Sequence, residues 1–188
     1  MILLFGFSGN PPHRGHLDVI SQAIASTDKI ITCIVIVPCR KHPFGKKLNN
    51  FETISRLASA FAKDVNAELG IRTSMEDLEG AYLSLPRSGE VAYTANVVEM
   101  LKITKNTSDG ILLCYGPDNK ENFKNFKYRE FLEENTTLFF AEEKEKCRST
   151  LIREAISSGH FPDELLTPNV KQVVLDLPAG SFNMSKKL

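Results

Sequence analysis

Two strongly apolar runs, residues 1–7 and 29–37 (the second interrupted only by Lys29 and Thr32), lie about twenty positions apart and constrain this chain more than any other feature. A strand that alternates apolar and polar side chains can face water on one side. A strand that is apolar at every position must be covered on both. Between the runs, Leu17, Ile20, Ala23 and Ile24 recur at helical spacing, so residues 15–26 read as a helix. Pro38 ends the second run. A crossover of this length permits parallel pairing, which a tight hairpin does not. The first unit is therefore strand–helix–strand in a buried parallel sheet.

The rest of the chain extends that pattern. Residues 38–50 lack periodicity and carry five basic side chains, counting His42, as expected of an exposed loop at a strand end. Residues 51–64 place Ile54, Leu57, Ala58 and Phe61 on one helical face, with Asn50 as cap and Glu52 in the first turn. A short strand is expected at 71–75, irregular chain at 76–92 and a helix at 93–102. A buried strand at 110–115 runs into the turn Gly116-Pro117-Asp118-Asn119. Residues 128–133 read as a helix, 135–141 as a strand and 150–158 as a helix stopped by Gly159. Residues 170–177 fit either a helix or a strand, and a polar tail follows. The sum is an α/β fold: a doubly wound, mostly parallel sheet of about five strands with helices on both faces.

No Pro/Gly/Ser-rich linker divides the chain, so residues 1–188 are expected to form a single domain, with 160–188 its least defined segment. No apolar run approaches the ~20 residues of a membrane span. No basic stretch precedes the first apolar run, which argues against a secretory signal. The 23 basic and 23 acidic side chains cancel, which weighs against nucleic acid as a partner. Cys33, Cys39, Cys114 and Cys147 have no metal-type spacing, and reduced thiols in a cytoplasmic protein are expected.

In doubly wound sheets ligands bind beyond the carboxyl ends of the strands. The segment after the first strand is Gly6-Phe7-Ser8-Gly9-Asn10-Pro11-Pro12-His13-Arg14-Gly15-His16. It sets two imidazoles and several free backbone N–H groups at a helix N-terminus, a place that attracts phosphate. Imidazoles there can stabilise charge that grows on phosphate oxygens during displacement at phosphorus. Glycines at 6, 9 and 15 let backbone and ligand approach closely. An ordinary Pro/Gly turn would account for one such histidine more easily than for two. A second constellation, Arg148-Ser149-Thr150-Leu151-Ile152-Arg153, offers a helix start with Ser149 or Thr150 as cap and arginines for charge-assisted contacts.

Together these two segments resemble the HxGH and SSTxxR-like signatures of the nucleotidylyltransferase superfamily, a Rossmann-like fold. Within it the chain most resembles the nicotinate/nicotinamide mononucleotide adenylyltransferases, from residue 2 to about residue 159. The resemblance implies direct transfer of AMP from ATP to the phosphate of a mononucleotide, with release of pyrophosphate, in NAD biosynthesis. It implies that His13, His16 and Arg153 are catalytic. It implies that Gly6, Phe7, Ser8, Gly9, Gly116, Asp118, Arg148, Ser149 and Thr150 join them around ATP. Asn10, Lys41, Lys46, Tyr93, Thr94, Asn119 and Phe126 would meet the second substrate. Magnesium would ride mainly on the ATP phosphates, with no dedicated protein site, and the partners would be small molecules rather than a membrane or nucleic acid. The chain departs from the family pattern in places. Phe7 stands where glycine is common, Gly9 where phenylalanine is common, Asn10 where aspartate is common, and Phe126 where a stacking tryptophan is common. Another phosphate acceptor, such as phosphopantetheine or a phosphorylated alcohol or sugar, is the alternative; a non-catalytic nucleotide-binding protein is the second.

Overall fold

The computed structural model describes residues 1–42, 45, 48–86, 88–106, 110–144, 147–178 and 180–182. The chain runs β1 (Ile2–Phe7), α1 (Arg14–Ala25), β2 (Cys33–Pro38), α2 (Phe51–Leu69), β3 (Thr73–Met75), α3 (Leu78–Leu83) and α4 (Thr94–Lys105). It continues through β4 (Ile111–Tyr115), α5 (Asn119–Asn122), α6 (Arg129–Asn135), β5 (Thr137–Phe140), α7 (Ser149–Ser157) and α8 (Pro168–Asp176). The five strands form one sheet in the order β3-β2-β1-β4-β5. Every pairing is parallel, with Ile2 opposite both Cys33 and Ile111.

Alternate strand residues feed two cores. Leu3, Phe5, Ile34, Ile36, Leu112 and Cys114 face α1, α2, α7 and α8. Ile2, Leu4, Val35, Val37, Leu113 and Tyr115 face α3, α4 and α6. The period of two thus separates the layers, and burial on both faces explains the apolar runs. The strand order reverses direction between β1 and β4. Loops leaving those two strands therefore diverge to opposite faces and open a crevice at their carboxyl ends.

Several boundaries differ from the sequence reading, each for a physical reason. β2 starts at Cys33 rather than 29, and Ile30 ahead of it is 82% exposed. α2 runs past residue 64 to Leu69 because Val65 continues its buried face; Gly70, at φ +65°, then ends it in the left-handed region. Asn50 caps it as expected, accepting from the Thr53 N–H at 2.8 Å. The segment 76–92 is not wholly irregular. Asp77 accepts from the Gly80 N–H at 2.9 Å and starts α3, which is too short to display a period. The open choice at 170–177 resolves as a helix with Pro168 in its first turn. The polar tail expected at the C-terminus lies, beyond residue 182, outside the described residues. Among the described residues no helix is long and apolar enough to cross a membrane.

Candidate active site

The first loop is built as the sequence suggested, with details the sequence did not carry. His13 is the cap residue of α1 and His16 its third residue. The His13 N–H donates to Nδ1 of His16 at 3.2 Å. With Nδ1 accepting, a neutral His16 carries its proton on Nε2. The two imidazoles lie close, tilted 30° to one another with their centroids 3.8 Å apart. His13 is 5% exposed and His16 half-buried. Beneath His16 the rings of Phe7 (5.0 Å, edge-on) and Phe5 (6.0 Å) form an apolar floor. Gly15 is spatially required: a Cβ there would stand 3.0 Å from His13 Nδ1 and 3.2 Å from Cys147 Cβ. Gly9 adopts φ +43°, and a Cβ on it would meet the Phe7 ring at 2.7 Å.

The second constellation closes onto this loop. The Ser149 hydroxyl donates to the Pro11 carbonyl at 2.9 Å, and Arg153 Nη1 donates to the Asn10 carbonyl at 2.6 Å. Two segments nearly 140 positions apart are thereby joined. The cap expectation changes. Arg148, not Ser149 or Thr150, is the cap residue of α7 and makes no side-chain cap bond, so the first-turn N–H groups of α7 keep no hydroxyl cap. The second guanidinium nitrogen of Arg153 donates to Thr150 Oγ1 at 3.1 Å, and burial lowers the Arg153 pKa from its usual value. Arg148 makes two bonds to Asp118 (2.9 and 3.2 Å) and one to Glu143 (2.8 Å). Those carboxylates raise its pKa.

Both constellations open onto a cleft of about 980 Å³ at the β1/β4 crevice. Its wall carries Gly6, Phe7, Ser8, His13 and His16 together with Gly116, Asp118, Arg148, Ser149 and Thr150. Tyr93, Thr94, Asn119 and Phe126 line the same cleft. Tyr93 caps α4, and its N–H is tied to Asn96 Oδ1 at 3.0 Å. The Lys127 ammonium lies 4.5 Å from the Tyr93 ring centroid. Phe126 is half-buried and packs edge-on to Tyr115 with centroids 5.5 Å apart.

Comparison with known proteins agrees with this architecture. The model of the cytidylyltransferase-like family matches residues 5–155. A Chloroherpeton thalassium protein bearing the name nicotinate-nucleotide adenylyltransferase is 31% identical over 190 aligned positions, covering all of this chain and 84% of the relative. This chain belongs to the nicotinate-nucleotide adenylyltransferase family. A Vibrio parahaemolyticus crystal structure described under the same enzyme name superposes with a TM-score of 0.73 at 25% identity, covering 98% of this chain and 96% of the other. A Plasmodium falciparum nicotinic acid mononucleotide adenylyltransferase, solved with NaAD, shares the fold at a TM-score of 0.67 and 13% identity, with 98% of each chain covered.

Within this adenylyltransferase, four of the expected site residues stand away from the cleft lining. Gly9 lies behind Phe7, and Asn10 is 2% exposed with its Oδ1 accepting from Asn49 Nδ2 at 2.9 Å. Arg153 stands behind the loop it holds. Lys41 reaches out to Glu90 at 3.5 Å, both side chains being exposed. Lys46 falls outside the described residues. Among the cleft residues that the sequence reading did not single out are Glu79, Tyr115 and Lys127. Tyr115 is the last residue of an apolar strand; burial of its phenol raises its pKa through desolvation, and a bond with Thr94 opposes the rise. Its position at a strand's carboxyl end was the signal that could have found it.

Proposed function

We propose that this protein transfers the adenylyl group of ATP to the 5′-phosphate of nicotinate mononucleotide and releases pyrophosphate. The observation that carries this reading is the pair His13 and His16 at the start of a helix, facing a cleft whose adjoining wall is the first turn of α7. Two helix N-termini aimed into one crevice suit a polyanion. The triphosphate lies between them, with Gly6, Phe7, Ser8, Gly116 and Asp118 around the nucleoside and Arg148, Ser149 and Thr150 near the β- and γ-phosphates. The acceptor phosphate oxygen attacks the α-phosphorus as the bond to the bridging oxygen of pyrophosphate breaks. No protein nucleophile is needed, because the acceptor phosphate is one already. The imidazole N–H donors meet oxygens whose charge grows in the transition state, which lowers the barrier. Arg153 keeps its cation close while fixing the Asn10 carbonyl of the loop.

The pyridine ring lies against Phe126, with Tyr93, Thr94 and Asn119 around it. The first-turn N–H groups of α4, a helix of twelve residues, favour an acid over an amide there. Lys41 and Lys46 act on the acceptor side by attraction rather than direct contact, and Asn10 acts through the loop. Magnesium enters on the triphosphate as a hard ion that keeps water ligands. Among the described residues no group of three or more His, Cys, Asp or Glu side chains could hold a metal ion. The whole chain acts as one domain, and its four free thiols fit a cytoplasmic setting.

The test is pyrophosphate release with ATP and a panel of acceptors: nicotinate mononucleotide, nicotinamide mononucleotide, phosphopantetheine and glycerol phosphate. The first should give the highest kcat/KM. His16→Ala should lower kcat by about 10²-fold or more, comparable to losing one oxyanion-hole donor, with the melting temperature unchanged. Unaltered turnover in that variant would overturn the assigned chemistry.

A further inference from the structure

Glu79 is 9% exposed and lines the cleft in the same wall as Ala92, Tyr93, Thr94 and Val97. Its Oε2 accepts from the Arg40 N–H at 2.6 Å, and the Cys39 thiol and Lys41 N–H also bond to its carboxyl. The nearest guanidinium is committed elsewhere. Arg40 Nε bonds both oxygens of Asp77 at 2.8 and 3.0 Å, and its guanidinium carbon sits 3.7 Å over the Phe51 ring. Lys41 pairs with the exposed Glu90. The carboxyl of Glu79 is thus held by neutral donors in a buried wall, and no salt bridge is made to it among the described residues.

We propose that Glu79 selects the acceptor, its carboxyl setting the preference between an acidic and an amidated pyridine mononucleotide. The inference rests on the reading that the pyridine ring lies beside Tyr93 and Thr94. An ionised Glu79 accepts from a carboxamide N–H₂ and repels a carboxylate; a neutral Glu79 tolerates the acid and can donate to it. Desolvation pushes its pKa up to about 7, with Asp77 adding to the rise and the bonds from Arg40, Cys39 and Lys41 opposing it. The opposing field of the α4 N-terminus favours the acid at every pH. Acid binding is therefore strongest below the Glu79 pKa and weakens as pH rises through it, whereas amide binding does not. The charged and titratable groups around Glu79 are Arg40, Lys41, Asp77 and Cys39, with His42, Tyr93 and Tyr115 in the same cleft wall. The imidazole of His42 lies in the same cleft, so the test must separate its contribution from that of Glu79.

The experiment measures kcat/KM for nicotinate and nicotinamide mononucleotide from pH 6 to 8.5, in the wild type, Glu79→Gln and Glu79→Asp. The acid-to-amide ratio cancels the titration of the shared phosphate. In the wild type the ratio should fall about tenfold across this range, one pKa unit's worth of differential interaction. In Glu79→Gln it should stay flat and stand about tenfold above the wild type at pH 8.5; Glu79→Asp should keep the slope. Calorimetry at pH 8 in buffers of different ionisation enthalpy should show wild type taking up an extra proton with the acid relative to the amide. A ratio that ignores pH in the wild type overturns the assignment, as does a slope that survives in Glu79→Gln, which would belong to another group. A parallel loss for both acceptors in Glu79→Gln, with the slope intact, would make Glu79 only a loop anchor and overturn it too. Absence of turnover with either mononucleotide in the wild type would sink the functional reading and this assignment with it, an outcome distinct from the others.

Discussion

Phe7 and Gly9 occupy each other's customary places, and the geometry explains why the exchange is tolerated. The Phe7 ring fills the volume over Gly9, so that a Cβ there would stand 2.7 Å from it, and the same ring floors His16 at 5.0 Å. One aromatic ring is required in this volume; either position can supply it. Gly9→Phe alone should destabilise the protein by about 2–4 kcal/mol, because a side chain at φ +43° and an overpacked ring both cost. Phe7→Gly alone should fold but lose the floor under His16, lowering kcat more than it raises KM. The double exchange should recover stability and turnover together. Denaturant midpoints and steady-state kinetics on the three variants check this, and a double variant worse than either single one would refute the shared volume. Gly15 is constrained differently, by His13 and Cys147 on either side, and no compensating exchange is available to it.

At the scale of elements, α8 is held to α2 by one buried carboxylate. Asp64, 5% exposed in α2, accepts from Thr167 Oγ1 (2.6 Å), Asn169 N–H (3.0 Å), Asn169 Nδ2 (2.6 Å) and Val170 N–H (3.2 Å). It acts as an N-cap supplied from another helix, satisfying first-turn donors that the Thr167 side chain leaves uncapped. Asp64→Ala strands these donors in the core and should cost about 2–4 kcal/mol in urea unfolding, with kcat for adenylyl transfer nearly unchanged in the folded fraction. A loss under about 0.5 kcal/mol, the range of ordinary surface substitutions, would show that α8 is held by Val170 and Val174 alone. The sequence made the scaffold readable because the three central strands β1, β2 and β4 are almost wholly apolar and each long helix carries a regular stripe. It made the histidines readable because packing alone rarely sets two imidazoles among glycines at the end of a buried strand. It could not show α3, whose six residues are shorter than two helical turns, nor Glu79 within it. Nor could it show Asp64 as a cap, since the partner donors lie over a hundred positions away. Ser149 and Arg153 bind backbone carbonyls, and a carbonyl carries no residue signature.

Across the whole molecule, the sheet divides labour between its two ends. The helix α8 lends no residue to the cleft lining and α2 only backs it, its Phe61 ring 5.6 Å from that of Phe7 and 6.2 Å from that of His16, whereas the walls of the cleft come from the loop after β1, the start of α4, the end of β4 and the start of α7. Among the described residues, Ser149 and Arg153, bound to the Pro11 and Asn10 carbonyls, tie the α7 wall directly to the histidine loop. A triphosphate bridging the two helix N-termini should therefore stiffen both together. At a hundred times its Kd, a non-hydrolysable ATP analogue with magnesium should stabilise the protein by about 2.7 kcal/mol. Hydrogen exchange should slow in residues 13–17 and 149–153 in the same titration, with amides of the α2–α8 face protected no more than global stabilisation requires. In the double variant Ser149→Ala, Arg153→Ala the histidine loop should lose the link. Protection there should then appear only at higher analogue concentration, and the two segments should titrate apart. If they still respond as one, the bound phosphates rather than the two side-chain bonds join the walls, and preorganisation of the site would lie in the ligand.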